Sequence, residues 1–543
     1  MAKKEMFTTK MMGLYERIAN ESLHEIIENR EMYEDESIKE QKDYREAIRI
    51  YDMCKEFEAK GDRELSDALL ATALWFVYTK FIMPTEEPET FIVTDVEKKP
   101  GVKTQVLNYD ILSEYLIRRY CIVSSNNVMY IYVNDKYYED KGRVVKDIVK
   151  LLKKSNYSEN RKVEQTIRDV IFRIKSETMK FEIPFNKSAK YLIPVINGVV
   201  VRKSLNILLP KSPVWGFTYS LPVIFDPTAK TDTIEKFLDD IAAPEDVEHL
   251  KQIPAQALMQ SEHYQQMYLL TGGGANGKST YISLLRKLMG KDNITSVSLQ
   301  AIVEDKFKAA ELQGKLMNLY PDLPKSSLKS TGILKALTGG DAITVEKKFA
   351  PPFSLINKAV FVFSANELPD VEDSTFAFWR RWVIINLPNQ FPVDEGFVDR
   401  LATEENMSGF LNLVIKEMDE IEAHGIKRSE RVERAMEMWR SRSNTSYAFI
   451  SDMLELSSPD YIPKDGLYAE YSKYCSDNDV TVESKHKFTD ELIKMGITIE
   501  LVTMNRQRVR VFKGIKHRGE ASRSGEKKED TKDAEITAFS GDK

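Results

Sequence analysis

The chain has 543 residues, of which 42% are hydrophobic and 30% are charged, and its formal net charge is −6. This length is enough for several hydrophobic cores, about three or four domains, and it excludes a mini-protein. The acidic balance gives no overall signal for nucleic-acid binding, so any contact with DNA would have to come from local basic surfaces.

The spacing of the cysteines and the length of the apolar stretches indicate the cellular compartment of the protein. Cys54, Cys121 and Cys475 lie far apart without a C-x-x-C pair, so they support neither a disulfide framework nor a zinc ribbon. The first residues lack the apolar core of a signal peptide, and the longest apolar stretch, residues 68–81, is too short to span a bilayer. We therefore expect a protein of the reducing cytoplasm with no membrane partner.

The first half of the chain is predicted to hold two regions. Residues 1–100 are charged and then apolar at helical spacing, which predicts a helical region with a boundary near residue 100. Residues 101–264 are predicted to mix helices and strands, and the Asn197-Gly198 pair between alternating apolar residues predicts a hairpin. A helical connector, residues 233–261, is expected to end this region.

The second half alternates strand-like and helix-like runs. Residues 265–392 are therefore predicted to form an α/β core, followed by a helical connector over 393–440. Residues 441–515 show three helical patterns and a terminal hairpin, the outline of a winged helix. The charged tail, 516–543, has the composition of a disordered segment.

A glycine-rich stretch at Tyr268–Gly290 is typical of a phosphate-binding loop. It fits G-x-x-x-x-G-K-[ST], in which backbone N–H groups close around phosphates while the Lys and Ser side chains meet the β- and γ-phosphates and Mg²⁺. An apolar run before it and helical spacing after it place the glycines at a strand-to-helix turn, although a merely tight turn is the alternative. The predicted ATP-binding residues are Gly272, Gly273, Gly274, Ala275, Asn276, Gly277, Lys278, Ser279 and Thr280.

Three further positions fit the chemistry of an ATPase. Asp322 follows an apolar strand, where an acid can hold Mg²⁺ and align water, or can simply start a turn beside Pro321. Asn366 ends a continuous apolar run suited to a central parallel strand, so its amide can bond the attacking water or the γ-phosphate. The pair Arg380 and Arg381 precedes another apolar strand.

This order of motifs resembles the superfamily-3 helicases, and within them the poxvirus-type primase-helicase branch of viruses, phages and plasmids. The likeness covers residues 170–390 well, the winged helix loosely and the first 100 residues not at all. It implies a P-loop ATPase core of the AAA+ kind and an ATP-driven replicative helicase. The helicase would translocate on single-stranded or forked DNA as a homo-oligomeric ring, commonly a hexamer, in the host cytoplasm.

The resemblance also implies a role for each matched residue. Lys278 and Ser279 would take the phosphates and Mg²⁺, Asp322 the metal and water, and Asn366 the sensing of the γ-phosphate. Arg381 would act in trans on a neighbour's site, with Arg380 the second choice. Family members often carry two adjacent acids where this chain has Pro321-Asp322, so Asp322 would serve both metal and water.

Two basic segments are candidate DNA contacts. Thr344 and Val345 and then Phe349 are predicted to be the arms of a hairpin with Glu346, Lys347 and Lys348 near its tip, and the resemblance implies that this loop projects into the channel of the ring. Lys347 and Lys348 beside Phe349 offer a phosphate contact and a stacking face together. Strand alternation places the arginines of the terminal hairpin on one face, where they suit a phosphate backbone. These arginines are Arg506, Arg508 and Arg510. A solvated tip and a charged edge strand are the respective alternatives.

A primase site has weaker support. Asp95 and Glu97 are spaced like a metal-binding pair, but archaeal-eukaryotic primases also use a downstream His, and none occurs between His24 and His249. We therefore interpret residues 1–170 as a non-catalytic region that binds DNA, forms a collar or meets a primase, polymerase or origin-binding protein. A primase-helicase with an unfamiliar polymerase site, or an ATP-switched origin-binding protein that does not translocate, are the other interpretations.

Overall fold

The structure is a computed structural model. It describes residues 21–29, 31, 42–61, 63–77, 92–99, 102–155, 157, 163–180, 183, 185–202, 208–260, 265–323, 331–348, 350–369, 371, 375–504 and 506–519. For residues 92–99 and 102–105 the description is of the backbone. The disordered tail was predicted from residue 516, but residues 516 and 517 belong to the last strand, and the tail beyond residue 519 lies outside the described residues. Phe349 also lies outside them. No helix in these described ranges is both long and apolar enough to cross a membrane.

The chain divides into two compact units. Unit 1 comprises Met1–Ala229, Leu258–Gln260 and Met407–Leu411. Unit 2 comprises Lys230–Ala257, Ser261–Asn406 and Asn412–Lys543.

Unit 1 mixes helices with small antiparallel sheets. Its helices are α1 (Lys42–Ala59), α2 (Arg63–Val77), α3 (Tyr109–Tyr120), α4 (Arg143–Lys154) and α5 (Val163–Glu177), and residues 21–28 are also helical. Its strands are β1 (Ile92–Lys99), β2 (Val102–Leu107), β3 (Val123–Ser125), β4 (Val128–Val133), β5 (Lys136–Glu139), β6 (Leu192–Val195), β7 (Gly198–Val201) and β8 (Leu208–Leu209). One core joins α3, α4 and α5 to the β3-β4-β5 sheet.

The hairpin predicted at Asn197-Gly198 forms, but its turn is one residue earlier. Val195 pairs with Gly198, so the two turn residues are Ile196 and Asn197. The Asn197 side chain binds both backbone groups of Phe225, at 2.9 Å each, and this long-range contact fixes the turn. The helical region predicted up to residue 100 was wrong in its last part, because β1 is a strand that pairs with β2 across the expected boundary.

Unit 2 contains a five-stranded parallel sheet and the helices around it. The strands are β9 (Met267–Thr271), β10 (Ile294–Thr295), β11 (Met317–Tyr320), β14 (Val360–Ala365) and β15 (Trp382–Asn386). A separate hairpin pairs β12 (Ile343–Val345) with β13 (Phe353–Leu355). The helices are α6 (Asp232–Ile241), the greater part of α7 (Val247–Met259), α8 (Lys278–Met289), α9 (Leu299–Glu304), α10 (Lys306–Ala309), α11 (Gly332–Gly339), α12 (Phe376–Trp379), α13 (Phe397–Leu401), most of α14 (Glu404–His424) and α15 (Glu430–Ser443).

The strand order of this sheet is β10-β11-β14-β9-β15. All six residues of β14 are buried, as are the first four of β9, which explains why both strands are continuous apolar runs in the sequence. Because the strands are parallel, their carboxyl ends meet at one edge, where ligands bind in open α/β sheets. The predicted buried strand before the glycine-rich loop and the helix after it are confirmed as β9 and α8.

The C-terminal part of unit 2 has three helices and one antiparallel sheet. The helices are α16 (Thr445–Met453), α17 (Lys464–Asp477) and α18 (Lys485–Lys494), and the strands are β16 (Leu454–Pro463), β17 (Thr498–Met504) and β18 (Gln507–His517). The sheet order is β16-β18-β17. Phe449, Tyr471, Phe488 and Phe512 lie in its aromatic core.

Candidate functional site

The glycine-rich loop lies at the carboxyl end of β9, directly before α8. Its backbone has positive φ at Gly272 (155°), Gly274 (102°), Ala275 (51°) and Gly277 (86°). A Cβ on Gly277 would lie 2.5 Å from Cγ2 of Ile241 in α6, so this position accepts only glycine without movement. Nothing lies within 4 Å of a Cβ built on Gly273, so the loop is open at that position, and α8 begins directly after the loop at Lys278.

The Lys278 side chain folds back over this loop. Its Nζ donates to the carbonyl of Gly272 at 2.6 Å and to Asn276 Oδ1 at 3.0 Å. Asn276 in turn donates to the carbonyl of Leu387 at 3.3 Å, which anchors the loop to the segment after β15. Burial lowers the pKa of Lys278, and the charge of Asp322 partly opposes this shift. Lys278 is thus a largely buried ammonium group, while Ser279 beside it is exposed.

Asp322 and Asn366 follow the neighbouring strands of the same edge. Asp322 is exposed at φ 62°, and its N–H donates to Ser364 Oγ at 3.3 Å. Leu323 N–H also donates to the Ser364 carbonyl, at 2.7 Å. Asn366 is exposed directly after β14. Asp322 thus has a left-handed backbone conformation, and its charge lies close enough to Lys278 to influence the pKa of that lysine.

The arginine pair lies at the opposite, amino edge of the sheet. The carbonyl of Arg381 accepts from Met267 N–H, at the start of β9, at 2.6 Å. The four-residue step from Met267 to Thr271 spans about 13 Å, so the pair is remote from the glycine-rich loop of its own chain. Neither arginine joins Lys278, Asp322 and Asn366 within this subunit.

The two arginines have different surroundings. Arg381 is 7% exposed, and its guanidinium donates to Thr338 Oγ1 at 2.9 Å and to the Lys335 carbonyl at 3.3 Å. Burial, and then the charge of Arg380, lowers the pKa of Arg381. Arg380 is exposed and donates to Gln265 Oε1 at 2.6 Å.

The predicted basic hairpin is present, but its second arm is not where the sequence suggested. Val345 pairs with Phe353, so the second arm begins at Phe353 rather than at Phe349. Lys347 Nζ lies 5.5 Å from the centre of the Phe353 ring, and Lys348 is exposed. Glu346 accepts from Lys306 of α10 at 2.5 Å, which connects the base of the loop to that helix at the surface.

The arginines of the terminal hairpin are exposed. Arg508 and Arg510 lie on β18, whereas Arg506 lies in the turn with φ 66°, so the predicted strand alternation was wrong for Arg506. Val511, which follows Arg510 on β18 and so points to the other face of the strand, is fully buried. Lys464 lies close to Arg510, a position that was not predicted. Burial lowers the pKa of Lys464, and the nearby charges of Arg510 and Lys485 lower it further.

Lys464 and Lys485 each begin a helix of the C-terminal part, α17 and α18. A lysine at a helix start gives no sequence signal that distinguishes a binding site from a solvated surface. At the other candidate site, Asp95 and Glu97 lie on β1, where the structure describes only the backbone.

Three families match successive parts of the chain. Residues 113–243 match "D5 N terminal like", residues 270–381 match a "Family of unknown function (DUF5906)", and residues 441–513 match "Poxvirus D5 protein-like". A "Putative helicase L207/L206" of Acanthamoeba polyphaga mimivirus is 26% identical over 215 residues. This match covers 35% of the present chain and 22% of the relative's length.

Among solved structures, the A-form apo structure of the NrS-1 C-terminal region is similar, with a TM-score of 0.42 and 12% identity. The likeness covers 74% of this chain and 98% of that one. A second apo structure of the same region gives a TM-score of 0.41 over the same shares.

The fold and the site first define a class, a mixed α/β protein with a parallel sheet whose carboxyl edge carries a glycine-rich loop. The matches to the two D5 families and to the mimivirus helicase support a relationship to the poxvirus D5-type primase-helicases.

Proposed function

We propose that the chain is an ATP-driven replicative DNA helicase of a virus, provirus or plasmid, acting as a homo-oligomeric ring on single-stranded or forked DNA. The observation that carries this proposal is the carboxyl edge of the parallel sheet. There the loop at Gly272–Gly277, Lys278, Asp322 and Asn366 follow three adjacent strands in the order β11-β14-β9. This is the arrangement that a P-loop ATPase of the AAA+ kind needs.

The loop would bind the triphosphate of ATP. The loop directly precedes α8, so a phosphate bound in the loop would be favoured by the N–H groups and the dipole at the start of this helix. The Lys278 ammonium now rests on the Gly272 carbonyl, and it would exchange this contact for a phosphate oxygen. Asn366 would hold the attacking water or the γ-phosphate.

Mg²⁺ fits the donors at this edge. The Ser279 hydroxyl and the Asp322 carboxylate are the hard oxygen ligands that Mg²⁺ takes, and both are exposed. When bound, Mg²⁺ would neutralise charge on the phosphate oxygens. Asp322 would also orient the attacking water.

The remote arginine pair supports a role in trans. Because the pair lies at the amino edge of the sheet, it would complete the site of a neighbouring subunit. The resemblance favoured Arg381, but its guanidinium is buried and bonded within its own chain, whereas that of Arg380 is exposed. We therefore assign the trans contact to Arg380, with Arg381 as the residue that positions it.

Two elements would hold DNA. The hairpin tip with Lys347 and Lys348 would face the ring channel, and the C-terminal helices and sheet would act as a winged helix. Its cations Lys464, Lys485, Arg508 and Arg510 suit a phosphate backbone.

ATP hydrolysis by the Lys278→Ala variant tests the site. We expect hydrolysis to be abolished while the unfolding temperature stays near that of the parent, since this ammonium is the phosphate contact. Lys287→Ala is the matched control, because Lys287 lies on the same helix and pairs with Asp399 at the surface. Turnover at the parent rate in Lys278→Ala would overturn the assignment.

A further inference from the structure

One face of α4 in unit 1 is strongly basic. Its cations fall within an arc of about 100° and along about 16 Å of a helix with 3.6 residues per turn. They are Arg143, Lys146, Lys150, Lys153 and Lys154, and all are exposed. We call these five residues the α4 basic face. It lies on a chain whose net charge is −6, so it is a local feature.

The opposite face of α4 fixes the helix in place. Val144 and Ile148 are fully buried, and Leu151 and Leu152 are each 5% exposed, in the core shared with α3 and α5. The apolar side of α4 is therefore already occupied by its own domain. This excludes the usual mode of a basic amphipathic helix at a membrane, which inserts its apolar side into the lipid.

The single acid of α4 does not cancel this charge. Asp147 accepts from Tyr120 OH at 2.5 Å and lies 3.6 Å from Arg119 Nε. Asp140, just before the helix, accepts from the N–H of Arg143 at 2.8 Å and so serves as a cap. Both carboxylates thus have partners.

Three of the five cations of the α4 basic face have no such partner among the described residues. Lys146, Lys150 and Lys153 form no ion pair with another described residue. Arg119, which pairs with Asp147, also lies 5.8 Å from the ring centres of both Tyr115 and Tyr120.

We propose that the α4 basic face binds the phosphate backbone of a nucleic-acid strand, as a site separate from the hairpin and the C-terminal part. Phosphates repeat along a strand, so a row of cations about 16 Å long matches several of them at once. Compact, hydrated lysine ammonium groups suit such contacts because they need no fixed orientation. An acidic protein surface is the competing partner, and the test below separates the two.

The test measures binding of the full chain to a fluorescent 20-nucleotide single strand by anisotropy, without nucleotide, over a series of salt concentrations. We expect Lys150→Ala/Lys153→Ala to bind the strand more weakly than the parent. The slope of log K against log[salt] should also be shallower by about 1.4, since each of the two lost phosphate contacts contributes about 0.7 to the slope on single strands. Lys150→Arg/Lys153→Arg keeps the charge and should bind like the parent.

The control is Lys55→Ala/Lys60→Ala on α1. It removes the same charge, but each lysine is already paired, with Glu58 at 2.9 Å and with Glu56 at 2.5 Å. It should leave the slope unchanged. An unchanged slope in the α4 double variant would overturn the inference. Displacement of the oligonucleotide by polyglutamate at an equal charge concentration would also overturn it, in favour of an acidic protein partner.

Failure here is distinguishable from failure of the helicase proposal. ATP hydrolysis is measured in the same preparations, and the α4 variants should hydrolyse ATP without DNA at the parent rate. If the α4 double variant hydrolyses ATP and its salt slope equals that of the parent, only the α4 inference is wrong. If the salt slope of the variant is shallower but neither the parent nor the variant hydrolyses ATP, the helicase proposal is wrong and the α4 inference stands.

Discussion

Gly277 shows how one residue couples the candidate loop to the helix beneath it. It has φ 86°, and an added Cβ would lie 2.5 Å from Ile241 Cγ2. Gly277→Ala should therefore lower the free energy of unfolding by about 2 to 4 kcal/mol, from left-handed backbone strain and overpacking. Gly273→Ala is the matched control, because nothing lies within 4 Å of its added Cβ. Equal losses in chemical denaturation would contradict this account.

Glu417 of α14 is a second residue with a measurable consequence. It is 7% exposed, and its Oε1 has no hydrogen-bond partner among the described residues. Burial, and then the charge of Glu248, raises the pKa of Glu417 to about 7. The folded chain therefore holds this proton more tightly than the unfolded chain, so the group's contribution to stability falls as pH rises from about 4.5 and is lost above about 7.

Glu417→Gln removes this titration. In the parent, the buried carboxylate is ionised at pH 8 but protonated at pH 5. The difference in the free energy of unfolding between the variant and the parent should therefore increase by about 2 kcal/mol from pH 5 to pH 8, in favour of the variant. Glu420→Gln, one turn away and exposed beside His424, should change by less than about 0.5 kcal/mol. Denaturation of both variants at the two pH values measures this, and a gain that is independent of pH would count against a raised pKa.

At the scale of elements, the sequence predicted the centre of the parallel sheet well. β9 and β14 are largely continuous apolar runs, and burial on both faces produces such runs, whereas β11 is interrupted by the buried Asn318. The glycine-rich loop and the acid and amide at strand ends follow from the same signals. The geometry of the loop, with Lys278 resting on the Gly272 carbonyl, could not be predicted because it depends on contacts with Asn276 and Leu387.

The missed features have long-range causes. The second hairpin arm begins at Phe353 because Pro351 and Pro352 carry no N–H to donate to a ladder. The burial of Arg381 depends on Thr338 and Lys335, more than 40 residues away along the chain. The periodicity and motif spacing of the sequence do not indicate where the second arm begins or that Arg381 is buried.

The hairpin gives the prediction at this scale. If Lys347 and Lys348 hold phosphates, Lys347→Ala/Lys348→Ala should flatten the salt dependence of single-strand binding by about 1.4 and stop unwinding. Hydrolysis without DNA should survive, and its stimulation by DNA should disappear. Lys287→Ala/Lys308→Ala removes two paired surface lysines and should behave like the parent. Normal unwinding by the hairpin variant would mean that the tip is only a solvated turn.

At the scale of the whole molecule, the remote arginine pair predicts an assembly. Arg380→Ala should bind ATP but hydrolyse it at least about a thousandfold more slowly, the effect of losing an arginine that acts in trans. Arg381→Ala should in addition lose about 1 to 3 kcal/mol of stability, because Thr338 and the Lys335 carbonyl lose a buried partner.

Mixing separates trans from cis action. Arg380→Ala and Lys278→Ala protein, each inactive alone, should recover hydrolysis together because each supplies the group that the other lacks. A mixture of Lys278→Ala with parent protein at the same concentrations is the reference for joint assembly. No recovery in mixtures that form joint rings would show that Arg380 does not complete a neighbour's site.

The central claim is that the carboxyl edge of the sheet drives strand separation. Unwinding of a forked DNA duplex tests it most directly, with the parent, Lys278→Ala and Lys287→Ala compared in the same assay. The account predicts that the parent and Lys287→Ala release the displaced strand only with ATP and Mg²⁺, and that Lys278→Ala releases none. A parent that hydrolyses ATP but leaves the fork intact, or a Lys278→Ala variant that opens it, would contradict the account.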